Sequence, residues 1–390
     1  MHILFYTSSL GGGGAEKIVQ RIANFVMQRG HRVTVCVARG DGSYERKLSE
    51  GARLVVLSDG WLDSSTWRLV RSIRPLRNYL SSHQPDVVFG AMNHVSICLL
   101  RALNGLECSI PTVISVHNNL RKGLIGNSSW TGNFIYWCMR RSYGKADRIV
   151  AISKGVASQL LEMKLARPGQ ISVIYNLCVN NEVHTAQKAP ISDYQVPFER
   201  PLLVACGRLT EQKGYPYLLD AFRRVRDERQ AELWILGEGD QRSTIESRIE
   251  ELGLVENVSL LGFRNNPFKF MAAADVFVLS SLWEGFGNVI VEAMACGTPV
   301  VATDCPHGPG EIITHEKNGL LVPPADSDAL SNALLRVLRD QSLKEQLTEN
   351  GKERARDFHA SKIGQQYLGL FREVVSQSKE SPQTPVDRSN

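Results

Sequence analysis

The sequence predicts an α/β protein made of two Rossmann-like, doubly wound domains in tandem. Three observations carry this reading. Short β-branched runs alternate with segments of helical period; the alternation lapses once, in a polar, proline-bearing stretch near the middle; and the loops after the strands collect glycines and charged residues. The first series is "HILFYT" (2–7), "VTVCV" (33–37), "LVVLS" (54–58), "DVVFG" (86–90), "TVISV" (112–116), "RIVAIS" (148–153) and "ISVIY" (171–175). The second is "LLVACG" (202–207), "ELWILG" (232–237), "VSLLGF" (258–263), "VFVLSS" (276–281), "PVVAT" (299–303) and "GLLVP" (319–323). Runs that are apolar throughout belong to strands buried on both faces, as in a parallel sheet covered by helices. Helical period lies between them: Ile18, Ile22, Phe25 and Val26 recur at spacings of three and four.

These patterns set the expected boundaries: an N-terminal domain over 1–182, a linker over 183–200, a C-terminal domain over 201–360, and a last helix over 361–376. Two prolines and scarcely an apolar residue mark 377–390 as a disordered tail. Strand ends are where doubly wound sheets bind ligands, which places the expected crevice between the two domains.

Composition narrows the class. With 390 residues, 43% of them hydrophobic and 22% charged, the chain can bury two ordinary cores. Its first residues enter a strand at once without a basic segment and a long apolar stretch, which argues against a signal peptide. No run of about 18 apolar residues suggests a spanning helix. The eight cysteines form no Cys-x-x-Cys pair and fit reduced, buried thiols, so a cytoplasmic location is expected. Residues 1–190 hold 23 Lys and Arg against 11 Asp and Glu, and the remainder 22 against 29, giving +12 and −7 and the net +5. The basic half is the one suited to an anionic partner.

The strand-end motifs carry the chemistry. In "WEGFGNVIVEAMACG" (283–297) a strand gives way to a helix, so the backbone N–H groups of Gly287, Asn288 and Val289 point out of a helix N-terminus, a site for phosphate. Glu284 and Glu292 flank that turn. Carboxylates beside a phosphate site would repel it unless they serve hydroxyl groups of the same ligand, and a sugar nucleotide offers both. A dipole-favouring helix acid and a solvated loop acid are the plain alternative, at about 0.3–1 kcal/mol each. In "GRLTEQKG" (207–214) Arg208 and Lys213 can converge on one anion and neutralise a departing nucleoside diphosphate, a task other enzymes give to a metal. "SSLGGGGAEK" (8–17) brings Gly12, Gly13 and Gly14 to the first strand end, but Glu16 stands where a dinucleotide fingerprint needs its third glycine, and no Walker lysine follows. His117 ends "VISVH", and Asn93 and His94 end "FGAMNH"; a lone histidine is more often structural, but the strand-end position favours a role at the ligand. "LGEGD" (236–240) and "LLGF" (260–263) put Gly262 and Phe263 where backbone could read a nucleobase, although tight turns account for the glycines nearly as well. Asp326-Ser-Asp328 reads as a helix cap, not a metal pair.

Taken together, "GRLTEQKG", "LGEGD", the Glu284-x7-Glu292 element and "GGGGAEK" resemble the retaining glycosyltransferases of family 4, over nearly the whole chain to about residue 376. The resemblance implies the GT-B fold, a nucleotide-sugar donor, metal-independent transfer with no cofactor, and a final helix that crosses back to the first domain. It implies that Glu292 binds the ribose, Glu284 contacts the transferred sugar, and Arg208 and Lys213 hold the diphosphate with backbone at Gly287 and Asn288. The Gly12–Gly14 loop would lie against the phosphates or the acceptor, and His117 near the sugar or reacting carbon. Asn288 stands where the family often has an apolar residue, and "CPHGPGEII" (305–313) is a variant of the family loop.

The expected function is transfer of a hexose or N-acetylhexosamine from a nucleotide-sugar, with UDP as the default, to a glycan or polyprenyl-diphosphate-linked acceptor in surface polysaccharide biosynthesis. A GT-B epimerase or a soluble glycan synthase is the enzymatic alternative; a nucleic-acid-binding protein has no recognised motif behind it. Arg68, Arg71, Arg74 and Arg77 with Trp61 and Trp67, and the aromatic-basic segment 120–145, suggest peripheral contact with an anionic membrane at the inner face of the plasma membrane.

Overall fold

A computed structural model describes residues 1–11, 13–40, 42–57, 65–122, 130–192 and 199–380. The chain divides into two compact units. One comprises Met1–Ile152, Val156–Ile174 and the chain from Ser361 onward; the other comprises Ser153–Gly155 and Tyr175–Ala360.

The first unit runs β1 (His2–Thr7), α1 (Gly14–Gln28), β2 (Arg32–Val37), β3 (Arg53–Val56), α2 (Ser65–His83), β4 (Val87–Ala91), α3 (Asn93–Leu103), β5 (Thr112–Val116), α4 (Trp130–Ser142), β6 (Arg148–Ala151), α5 (Lys154–Glu162) and β7 (Ile171–Val173). Its seven strands form one parallel sheet in the order β3-β2-β1-β4-β5-β6-β7. The register sets Leu4 beside Thr34 on one side and beside Val88 on the other.

The second unit runs α6 (Asn181–Ala186), β8 (Leu202–Cys206), α7 (Tyr215–Glu228), β9 (Glu232–Leu236), α8 (Arg242–Glu251), β10 (Val258–Gly262), α9 (Phe268–Ala273), β11 (Val276–Leu279), α10 (Asn288–Ala295), β12 (Val300–Thr303), α11 (Pro309–Ile312), β13 (Leu320–Val322), α12 (Ser327–Arg339) and α13 (Gln341–Ala355). Its six strands are again parallel, ordered β10-β9-β8-β11-β12-β13. Leu203, Leu233 and Val278 of the sheet pack with Leu218 and Phe222 of α7 and Leu330 and Leu334 of α12, all almost fully buried. Each such side chain contributes about 1.5–3 kcal/mol by leaving water.

A last helix, α14 (Ala360–Glu380), belongs to the first unit from Ser361 on. Its Phe371 meets Phe5 and Phe89 edge to face at 6.3 and 5.8 Å, and Tyr367 meets Phe89 at 5.9 Å. Gly364 allows the approach of Phe25, whose ring atoms would lie 2.5 Å from any added Cβ.

Several boundaries differ from the sequence reading. The chain enters the second unit at Tyr175, not after residue 182, because Leu177, Cys178 and Val179 are buried there and Val179 pairs with His359. Part of the expected linker is packed structure: Asn180 caps α6 by accepting from the Val183 N–H, and Asn266 and Lys269 donate to the carbonyls of Ala186 and Pro190. Residues 193–198 lie outside the described residues. The expected tail begins too early, since α14 continues to Glu380; residues 381–390 lie outside the description. Asp326 does cap α12, accepting from the Ala329 N–H at 2.8 Å.

Both sheets reverse their strand order beside the first strand of the unit, between β1 and β4 and between β8 and β11. Ligands of doubly wound sheets bind outside the carboxyl ends of the strands at such a reversal.

Candidate active site

In the second unit the reversal brings together the segments that follow β8 and β11. After β8 the chain makes a short turn over Glu211–Lys213 and enters α7 through Gly214, at φ 59°. A Cβ there would lie 2.3 Å from the Ser280 carbonyl oxygen, so only glycine lets the two loops close on each other. They are then stitched: Ser280 Oγ donates to the Lys213 carbonyl at 2.8 Å, and the Leu282 N–H donates to the Gln212 carbonyl at 2.8 Å.

This seam sets Lys213 Nζ 2.5 Å from Glu284 Oε1. Ser281 Oγ donates to the same oxygen at 2.7 Å, and the Glu284 N–H donates to the Pro306 carbonyl at 3.2 Å. The two side chains are 14% and 8% exposed, so the pair is shielded from most solvent screening while its edge remains accessible. Arg208, on the same loop, is exposed; its carbonyl accepts from the Thr210 N–H, and its guanidinium has no partner among the described residues. Glu284 also marks its neighbours. Burial, and then the Glu284 charge, push the Cys305 thiol up to about 12, so it is not a nucleophile near neutrality. Burial, followed by the charges of Cys206 and Glu284, raises the Tyr215 phenol well above its ordinary value.

Three residues beyond Glu284, Gly287 turns through φ 96° to start α10. The N–H groups of Gly287, Asn288 and Val289 have no hydrogen-bond partner among the described residues, and no acidic side chain occupies the first turn. This is an open helix N-terminus with positive partial charge. Glu292 follows in the same helix, 5% exposed. The loop after β12 supports the turn, for a Cβ on Gly308 would lie 2.0 Å from the Phe286 carbonyl oxygen.

The glycines after β9 and β10 serve chain geometry. A Cβ on Gly237 would lie 1.9 Å from the Gly207 carbonyl oxygen, and one on Gly239 would lie 2.2 Å from that of Leu209. The Gly262 carbonyl accepts from the Gly237 N–H at 2.9 Å, which ties the ends of β9 and β10 together. Phe263 beside it is 56% exposed and offers an unshared ring face.

The first unit places its candidates differently. Glu16 turns back on its own helix: Oε2 accepts from the Gly13 N–H at 3.0 Å and Oε1 from Ser9 Oγ at 2.6 Å. A carboxylate thus sits at the mouth of α1, beside the loop expected to lie against the phosphates or the acceptor. Gly12 lies outside the described residues. His117 is 9% exposed, with Nε2 2.5 Å from Ser115 Oγ, and burial lowers its pKa to about 4, so the ring is neutral at physiological pH. Asn93 is committed to Tyr143, whose hydroxyl donates to Oδ1 at 3.2 Å, whereas His94 is exposed. Sequence reasoning missed Met92, a non-glycine residue at φ 78° whose N–H donates to the Ser115 carbonyl.

The arginine stripe of α2 does not form one basic face. Residues three apart on a helix rotate by about 60° per step, so four of them sweep half the circumference. Arg77 accordingly faces α3 and donates to the carbonyls of Arg101 and Ala102 at 3.0 Å each, satisfying that helix's C-terminus. Trp61 and the Trp67 side chain lie outside the description.

Two parallel-sheet units, each with a strand-order reversal beside its first strand, have the architecture of the GT-B class. The family described as "Glycosyltransferase Family 4" matches residues 12–178, and that described as "Glycosyl transferases group 1" matches residues 190–354. The chain is a glycosyltransferase of the family 4 type, a hexosyltransferase with the GT-B fold. It is 29% identical over 371 residues to the N-acetylgalactosamine-N,N'-diacetylbacillosaminyl-diphospho-undecaprenol 4-alpha-N-acetylgalactosaminyltransferase of Campylobacter jejuni, covering 92% of this chain and 96% of that one. It is 27% identical to the lipopolysaccharide core biosynthesis glycosyltransferase LpsE of Rhizobium meliloti, covering 92% and 96%. Among solved structures, HepE of Anabaena in complex with UDP and glucose superposes with a TM-score of 0.77 at 23% identity, covering 95% of this chain and 99% of that one. Sucrose-phosphate synthase of Thermosynechococcus elongatus superposes at 0.80 and 21%, covering 96% and 99%. Among the described residues no helix is long and apolar enough to cross a membrane.

Proposed function

We propose that the chain transfers a hexose or N-acetylhexosamine, with retention of anomeric configuration, from a UDP-sugar to a polyprenyl-diphosphate-linked or other lipid-linked glycan in surface polysaccharide biosynthesis. The observation that carries the reading is the Lys213–Glu284 pair beside the open N-terminus of α10. A diphosphate seated there would meet the N–H groups of Gly287, Asn288 and Val289, the Lys213 ammonium and the Arg208 guanidinium. Each charge-assisted bond contributes about 1.5–3 kcal/mol. As the sugar departs, charge builds on the diphosphate, and Lys213, held in place by Glu284, together with Arg208 neutralises it without a metal. Glu284 holds Lys213 in position and turns Oε2, which meets Gln212 Nε2 at 3.5 Å, to a sugar hydroxyl; Glu292 takes the ribose diol; Phe263 offers a face to the base. The lipid-linked acceptor is supported by what the Campylobacter jejuni relative is named for, and the uridine by the UDP in the HepE complex.

A thermal-shift panel of UDP, GDP, ADP and their sugars tests the donor, because a ligand at 100 times its Kd stabilises the fold by about 2.7 kcal/mol. UDP should give the largest shift; no shift with any of them contradicts the reading. Incorporation of labelled sugar into polyprenyl-diphosphate acceptors, with the anomer assigned by NMR, tests transfer and retention and separates a transferase from an epimerase, which would convert the donor without acceptor.

The acceptor reading extends to α4, in the basic half of the sequence. Phe134 and Trp137 are 51% and 46% exposed. Their rings stack at 6.0 Å, and the Arg141 guanidinium lies 4.3 Å from the Trp137 ring. Positions 134, 137 and 141 share one helix face. Aromatic rings bordered by arginine suit the boundary of an anionic bilayer. Flotation with phosphatidylglycerol vesicles should fall sharply in Phe134→Ser/Trp137→Ser; flotation equal to wild type contradicts the contact.

A further inference from the structure

Resting on that reading of the α10 N-terminus, one side chain from outside the motifs bears on the site. Asn176 follows β7 and is 2% exposed. Its Nδ2 donates to Asn288 Oδ1 at 2.8 Å, and Cys178 Sγ lies 3.5 Å from the same oxygen. Asn288 is the first residue of α10 and is only partly buried; its oxygen is thus occupied, and its Nδ2 has no hydrogen-bond partner among the described residues. Asn176 Oδ1, at the other end of the contact, is buried without a partner. Turning both amides over would keep the bond between them but leave both N–H groups of Asn176 unpaired in the buried site, in place of one N–H and the oxygen. It would also face the Cys178 thiol with a donor instead of an acceptor.

We propose that Asn176 is a positioning residue that fixes the orientation of the Asn288 amide, so that its N–H2 group and not its oxygen meets a donor phosphate or sugar oxygen. The backbone N–H groups of Gly287 to Val289 thereby gain a side-chain donor. An apolar residue at position 288 would supply none, so the Asn176–Asn288 couple selects for an oxygen acceptor at that point.

Calorimetry with whichever of UDP, GDP and ADP binds the wild-type enzyme tightest tests this. Asn176→Asp leaves only acceptors facing Asn288, which must turn its N–H2 inward and its oxygen outward; Kd should rise about tenfold, with KM for the donor rising and kcat little changed. Asn288→Leu removes the amide and should weaken binding comparably. In the double variant the carboxylate introduced by Asn176→Asp faces no amide to turn, so the loss should equal that of Asn288→Leu alone. Asn176→Ala, which frees Asn288 to rotate, should give a smaller loss that Asn288→Leu likewise masks. Binding by Asn176→Asp within twofold of wild type, or losses that multiply in the double variants, overturns the proposal. If wild-type enzyme binds none of the three nucleotides, the reading of the site fails and the inference with it.

Discussion

The two strand-order reversals are alike in topology and opposite in charge. In the first unit a glycine-rich turn leads from β1 into α1, and Glu16 folds back to satisfy the Gly13 N–H and Ser9 hydroxyl. In the second unit Gly287 leads into α10 with its N–H groups open, and the Lys213–Glu284 pair lies three residues before that turn. A helix N-terminus favours anions in either case, but one has supplied its own carboxylate and the other has gathered cations. The first is suited to the hydroxyl groups of a glycan and the second to a diphosphate. A shared fold therefore does not assign a role; the side chain that closes or opens the helix mouth does.

The largest test of this contrast removes the cation. Lys213→Ala should lower kcat/KM for transfer at least about a hundredfold, roughly 2.7 kcal/mol or more, and abolish the thermal shift by UDP. Glu284→Ala should also lower kcat by about a hundredfold but leave nucleotide affinity within a few-fold, because Lys213 loses its orientation and not its charge; loss of nucleotide binding equal to that of Lys213→Ala would merge the two roles. Gly214→Ala should destabilise the chain by about 2–4 kcal/mol, read as a lower denaturant midpoint, since φ 59° and the Ser280 carbonyl at 2.3 Å both exclude a side chain. Glu16→Ala, the matching change in the first unit, should cost about 1 kcal/mol of stability as a lost cap while leaving UDP affinity unchanged.

The smallest effect is on pH dependence. Burial lowers His117 to about 4, below its ordinary 6.5, so the unfolded chain binds the proton more readily than the folded one. Its contribution to stability is complete above pH 6.5 and is lost as pH falls from there towards 4. His117→Gln should flatten that part of the stability profile, measured by urea unfolding.

The strands were legible because buried parallel strands write themselves as uninterrupted apolar runs, and each run named in the sequence overlaps a strand of the two sheets, even at the more exposed β3 and β7. The loops with Arg208, Lys213 and Glu284 were legible from glycine and charge at strand ends. Their ion pair was not, because it joins residues 71 apart that meet only when β11 pairs with β8. Asn176 carried no motif, and its partner Asn288 lies 112 residues away. The unit boundary was misplaced because residues 180–190 look like a linker in composition, while their anchors, Asn266 and Lys269, sit on a different helix and its approach.

The most direct test of the central claim is a crystal structure with the nucleoside diphosphate that binds tightest. The β-phosphate should lie within hydrogen-bond distance of the Asn288 and Val289 N–H groups and of Lys213 Nζ in the second unit. A diphosphate seated instead at the α1 N-terminus beside Glu16, or away from Lys213 altogether, would contradict it.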